Sequence, residues 1–261
     1  MSTTSLRQDA RVIGLVGVSH GVSHFYHLIL AGLFPWLKAA FVLSYAELGF
    51  LMTVFFVVSG VGQALSGFLV DKVGARRVLF SGHALLGIGA LVLAAAPNYS
   101  VLLLGSLIAG CGNAVFHPAG YTLLNQNVSK ERLPHAFSVH GISGNIGWAA
   151  APLFLAGVAT LSSWRVALLA ASAIPALMLL TLVLNRKVLS TAAPVQTSAQ
   201  AAGGSFDFLR LPAVWMCFGF FFLTSVALGG IQAFSSTSLT ALYAISLPTA
   251  ATAYTTYMLS S

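Results

Sequence analysis

Polar and apolar positions along this chain fall in blocks rather than in a short period. Runs of about 20 apolar residues recur, each long enough to cross about 30 Å of hydrocarbon as a helix, and short polar or basic stretches separate them. Read this way, the sequence predicts spans over about Val12–Leu37, Ala46–Val70, Val78–Ala96, Val101–Asn125, Phe137–Thr160, Trp164–Leu184 and Ala213–Phe234, with an eighth starting near Leu247. Turn chemistry marks the joints: Pro97-Asn98 closes the third span, and a short polar break at Ser162-Ser163 parts the fifth from the sixth. From Val188 to Leu211 the composition changes to Ser, Thr, Ala, Pro and Gly, that of a linker. The expected layout is a six-span bundle over 1–187, a linker over 188–211 and the start of a second bundle over 212–261.

Composition strengthens the membrane reading. Hydrophobic residues make up 57% of 261 and charged residues 7%, against roughly 25% charged in soluble domains. So few charges could not cover so large an apolar content in water, and an all-α integral membrane protein is expected. The net charge of +7 does not indicate a nucleic-acid partner, because the basic residues stand singly or in pairs between apolar runs and form no basic face. The first apolar run continues past Gly32 without a clear cleavage site, so it reads as a retained span rather than a signal peptide. Cys111 and Cys217 lie inside apolar segments and read as small packing residues.

The basic residues report sidedness. With the N-terminus in the cytoplasm, that side holds Arg7, Arg11, Lys72, Arg76, Arg77, Lys130, Arg132, Arg186, Lys187 and Arg210, and the other holds Lys38 and Arg165. Ten against two is a strong positive-inside bias, as in a multi-pass protein of a bacterial inner membrane.

The densest charge follows the second span, in Gly67-Phe-Leu-Val-Asp71-Lys72-Val-Gly74-Ala-Arg76-Arg77. This stretch resembles the signature between the second and third helices of the major facilitator superfamily, with Ala75 in place of the usual first basic residue. The resemblance implies the major facilitator fold: an N-terminal six-helix bundle plus the start of a second, about 7 to 8 transmembrane helices here. It also implies that Gly67, Asp71, Lys72, Gly74, Arg76 and Arg77 form a latch at the cytoplasmic ends of two bundles. Glycine permits a tight turn and close helix approach, and Asp beside Arg can pair when the bundles meet. The family has twelve spans, so the chain reads as C-terminally truncated. Phe116-His117-Pro118, with Phe137-Ser-Val-His140 and Gly144-Asn-Ile-Gly-Trp148, is similar to the fosmidomycin-resistance-type branch of that superfamily.

Candidate chemistry lies in the first, fourth and fifth spans. His20, His24 and His27 fall within one stripe roughly 60° wide, and His24 lies about 20 Å along its helix, near mid-membrane. Asn113, His117 and Tyr121 are four apart and share one broad face, with Pro118 expected to kink the helix. In the superfamily the first and fourth helices line the central cavity, so the resemblance implies that these stripes face each other, joined by Asn145 from the fifth span. Two readings stand open for the histidines: ionisable groups on a solute or proton pathway, or neutral imidazoles hydrogen-bonded between helices. Glycines at 141, 144, 147 and 157 predict close packing of the fifth span.

No metal is expected. His20 and His24 have helical metal-site spacing, but the spans offer no mid-membrane carboxylate to complete a set, since Glu47 and Asp71 sit at opposite ends of the second span. No cofactor and no enzymatic activity are expected either. The function expected is secondary active transport of a small solute by alternating access, such as drug or metabolite efflux, with a proton as coupling ion and the lipid bilayer as surroundings. A non-transport protein, either a His-metal membrane enzyme or a helical scaffold, is the alternative.

Overall fold

The computed structural model describes residues 5–189 and 210–260; most of the expected linker, 190–209, lies outside them. The described residues form helices α1 (Leu6–His27), α2 (Phe34–Phe41), α3 (Tyr45–Val73), α4 (Ala75–Ala95), α5 (Tyr99–Asn113), α6 (Phe116–Asn127), α7 (Leu133–Leu161), α8 (Trp164–Leu184), α9 (Pro212–Tyr243) and α10 (Leu247–Ser260). Single 3-10 turns at Ala31–Leu33 and Lys130–Arg132 lead into α2 and α7.

Local chemistry sets the ends. Ser5, Asn98 and Ser163 each accept a hydrogen bond from the backbone N–H three residues on, which supplies a partner to a donor at the start of α1, α5 and α8. Ser44 and Glu47 form a reciprocal capping box on α3. Between α3 and α4 only Gly74 stands outside helix, at φ 92°, a conformation a side chain would strain.

Two expected spans are broken. The first is a pair, α1 and the segment Ala31–Phe41, bent by 47°. Pro35 has no N–H to give to the turn before it, and Gly32 in that turn lies against Leu155 and Pro152 of α7. The fourth is split between α5 and α6 at Ala114-Val115. Pro118 cannot donate to the Ala114 carbonyl, which accepts instead from Ser66 Oγ of α3 at 3.1 Å. Backbone freed at membrane depth is thus satisfied by a neighbouring helix.

Counting the bent pair as one, seven segments among the described residues are long and apolar enough to cross a membrane. At 14 residues, α10 is shorter than these, so the expected eighth span is present as a helix that the described residues do not carry across.

Small residues set the closest approaches. α1 and α7 meet where a Cβ on Gly147 would strike the Gly21 carbonyl, and one on Gly144 would lie 2.5 Å from His24 Nδ1. Gly89 and Gly105 bring α4 and α5 together against Ala109 and Leu93. These contacts need no hydrophobic drive between helices, only shape. α10 packs on α7, with Thr255 Oγ1 donating to the Ala149 carbonyl at 2.8 Å. Both cysteines are exposed rather than packed. In a bilayer an apolar helix position facing outward meets lipid, so hydropathy does not separate it from a core position.

Candidate functional site

The close approach of α7 to α1 leaves one face of each helix to polar side chains, and α3, α5 and α6 add theirs from the other side. His20, His24 and His140 are buried, and His27 and His117 are half-buried. The ring of His20 stacks on His140 with centroids 3.6 Å apart and lies 4.1 Å from His24 and 4.9 Å from His117. Trp148 stacks on His24 at 4.2 Å, and Tyr121 closes the outer side by stacking on His117 at 5.6 Å.

The hydrogen bonds constrain where the protons are. His20 Nδ1 lies 2.7 Å from the His140 carbonyl, an acceptor only, so this nitrogen carries the hydrogen and Nε2 carries a lone pair. That Nε2 is 2.9 Å from His117 Nε2. His117 Nδ1 in turn lies 3.1 Å from Gln63 Oε1 of α3, again an acceptor. With both Nδ1 atoms donating, two lone pairs face each other across the Nε2 contact, and a positive charge between them is what would satisfy both.

His27 shows the same accounting. Trp148 Nε1, which can only donate, lies 3.1 Å from its Nδ1, and the Asn113 amide nitrogen lies 2.9 Å from its Nε2. A neutral imidazole needs one acceptor, so an Asn113 carboxamide turned end for end satisfies it. Ser23 and Ser59, 2.6 and 2.8 Å from that carboxamide, can reverse their hydroxyls to match.

Of the residues expected here, the structure brings His20, His24, His27, Asn113, His117 and Tyr121 together. Asn145 does not join them. It is half-buried on the side of α7 turned about 100° from Gly144, and the polar contributions of α7 come from His140, Ser143 and Trp148 instead. Sequence reasoning missed His140 and Gln63 as site residues. For His140 there was a signal, since it is four residues before Gly144, the position that packs on His24. One ring nitrogen each from His20, His117 and His140 lies within 4.8 Å of the other two.

The charged stretch after α3 has a different character. Asp71, Lys72 and Arg77 are exposed, and among the described residues none of them forms a salt bridge. Arg76 donates to the carbonyls of Arg186 and Leu189 at 3.0 and 3.3 Å, fastening α4 to the chain beyond α8. Gly74 makes the turn, whereas a Cβ on Gly67 would meet open space among the described residues. The ion pair at this end is one the sequence did not suggest. Asp9 of α1, fully buried, accepts from Arg132 Nε and Ser129 Oγ, both at 2.6 Å, tying α1 to the turn before α7.

Residues 16–261 match the profile of the Major Facilitator Superfamily. The fosmidomycin resistance protein of Escherichia coli K12 is 27% identical over 155 residues, 59% of this chain and 38% of that protein. The uncharacterized MFS-type transporter YfnC of Bacillus subtilis is 29% identical over 145 residues, 56% of this chain and 35% of its own length. The chain thus aligns with well under half the length of these relatives. A bacterial homolog of the human lysosomal transporter Spinster, inward-facing and unoccupied, superposes with a TM-score of 0.77 at 17% identity, over 98% of this chain and 60% of that one. The peptide transporter POT in complex with sulfate gives a TM-score of 0.62 at 17% identity, over 87% and 49%. At such identities the likeness is one of fold.

Proposed function

The chain belongs to the major facilitator superfamily, and on that premise we propose that it is the N-terminal bundle and the start of the second in a secondary transporter. It moves a small solute by alternating access, with the imidazole network as the place where solute and coupling ion are met. In transporters built from repeated bundles, sites lie near the bilayer midplane between the repeats. Ionisable groups are costly there and are kept for function. The observation that carries the reading is the convergence of the imidazoles of His20, His24, His27, His117 and His140 from α1, α6 and α7 onto one buried cluster.

A proton is the coupling ion in this reading. The facing Nε2 atoms of His20 and His117, 2.9 Å apart, are placed to share one, and imidazole is the side chain that changes charge nearest neutral pH. Among the described residues no Arg or carboxylate is hydrogen-bonded into the network, which favours a solute that is neutral or amphipathic, or an anion met by a protonated imidazole. The positive-inside bias supports an N-terminus on the cytoplasmic side of a bacterial inner membrane. Asp71 and Arg77, exposed at that end, then serve as the latch that pairs when the two bundles meet.

Efflux is the direction proposed, and fosmidomycin is the probe, taken from what the Escherichia coli relative is named for. In everted vesicles that carry the chain and hold a respiration-driven proton gradient, adding fosmidomycin should dissipate the gradient, and His117→Ala should remove the effect without lowering membrane abundance. A gradient that holds as firmly as in vesicles lacking the chain would overturn proton-coupled efflux of this compound.

A further inference from the structure

We infer that the imidazole cluster binds a late first-row transition-metal cation, with His20, His117 and His140 as ligands. The inference concerns the same imidazoles as the transport reading, and it names a ligand for them besides the solute and proton of that reading.

The argument begins with unsatisfied nitrogens. His140 is 3% exposed, yet neither Nδ1 nor Nε2 has a hydrogen-bond partner, and His24 Nδ1, on a side chain 7% exposed, has none either. Buried polar atoms are nearly always paired, so three orphaned nitrogens in one cluster call for a partner. One ligand nitrogen each from His20, His117 and His140 lies within 4.8 Å of the others. Around a tetrahedral ion with bonds of about 2.0 to 2.1 Å, nitrogens stand roughly 3.3 Å apart. The His20–His117 pair, at 2.9 Å, is already near that spacing, and His140, stacked on His20 with ring centroids 3.6 Å apart, has to turn its ring out of that stack to direct a nitrogen at the same ion.

The outer hydrogen bonds fit as well. A metal-bound imidazole characteristically donates its other N–H to a carbonyl or carboxylate, which fixes the tautomer. His20 Nδ1 faces the His140 carbonyl and His117 Nδ1 faces Gln63 Oε1, so both rings direct an Nε2 lone pair inward. A proton satisfies only two nitrogens, whereas a metal takes the third. Turning the Gln63 carboxamide gives a neutral resting state in which His117 donates to His20. The ligand set is all imidazole, which suits Zn, Ni, Co and Cu rather than Mg or Ca. Three protein ligands leave a coordination position open, as reversible binding requires.

The test uses the full chain, purified without a histidine tag and kept in lipid nanodiscs. Dialysis against micromolar Zn²⁺, Ni²⁺ or Co²⁺, followed by elemental analysis, should give one bound ion per chain for at least one of them. His20→Ala and His140→Ala should lower the bound ion at least tenfold, and exposed His135→Ala should leave it unchanged. Should the cluster variants fail to fold, X-ray absorption of the loaded wild-type protein gives the answer directly. At least three nitrogen ligands with imidazole scattering support the site, and an oxygen-only shell overturns it. Substoichiometric binding of every ion, or binding that persists in a folded His20→Ala, also overturns it. A chain that responds to fosmidomycin but binds no metal sinks this inference alone. One that binds metal but leaves the proton gradient intact sinks the efflux reading alone.

Discussion

At the basic end of the bundle, Asp71, Lys72 and Arg77 stand exposed, with no salt bridge among the described residues. Within the bundle, His20, His24 and His140 are buried, and there each hydrogen has to be accounted for. Water solvates a charge wherever the loop places it, so the loop can change its contacts at little cost. An imidazole shut away from water has no such freedom, and its orientation is dictated by a few neighbours. The loop accordingly reports topology, and the cluster reports chemistry. Asp9 lies between the two cases: it is at the basic end like Asp71, but buried and paired like the histidines.

That contrast can be broken most severely where the cluster is held together. Gly147→Val forces a side chain into the Gly21 carbonyl, so folded protein should be lost, whereas Gly141→Val on the same helix meets open space and should be tolerated. Size-exclusion profiles in detergent compare the two directly, and equal profiles would mean that α1 and α7 can separate freely. Next comes His117→Ala, which should reduce solute-driven proton flux roughly tenfold or more, about 1.4 kcal/mol of barrier, with abundance unchanged. A parallel loss of abundance would make the network a packing device.

Smaller effects are expected at the basic end. Asp9→Ala removes the buried carboxylate that pairs with Arg132; because Arg132 is 34% exposed, the cost should be about 1 to 3 kcal/mol, below that of a fully buried pair. A thermal-unfolding shift measures it. Gly74→Ala at φ 92° should cost about 1 kcal/mol in the same assay. Last, Asp71→Asn should change stability by less than about 0.5 kcal/mol while lowering flux if the latch closes during transport. A large loss of stability there would put Asp71 in the structural class of Asp9.

Much of the fold was legible because the bilayer is a simple solvent. An apolar run of sufficient length has to be a helix in it, since no water satisfies an open backbone. The sixth span, Trp164–Leu184, was predicted to the residue, and most other boundaries lie within a few residues, the seventh running further to Tyr243. The breaks at Ala31 and Ala114 were less legible: Pro118 signalled the second, but the hydroxyl of Ser66 that accommodates it comes from another helix. The site was half legible. Spacing four and three along α1 put its histidines on one stripe, whereas for His140 the spacing of four to Gly144 was a sign that gained meaning only once Gly144 was seen to pack on His24.

Taken alone, the sequence determined the family, the spans and the uneven distribution of charge, because each depends on the chemistry of a segment and its solvent. Only the tertiary structure decided which imidazoles meet, which nitrogens lack partners and which aspartate at the basic end is paired. These depend on the approach of α7 to α1 through Gly144 and Gly147. Two helices that close bring the His20 ring within 3 Å of a backbone carbonyl 120 residues away, and no period along one helix encodes that distance.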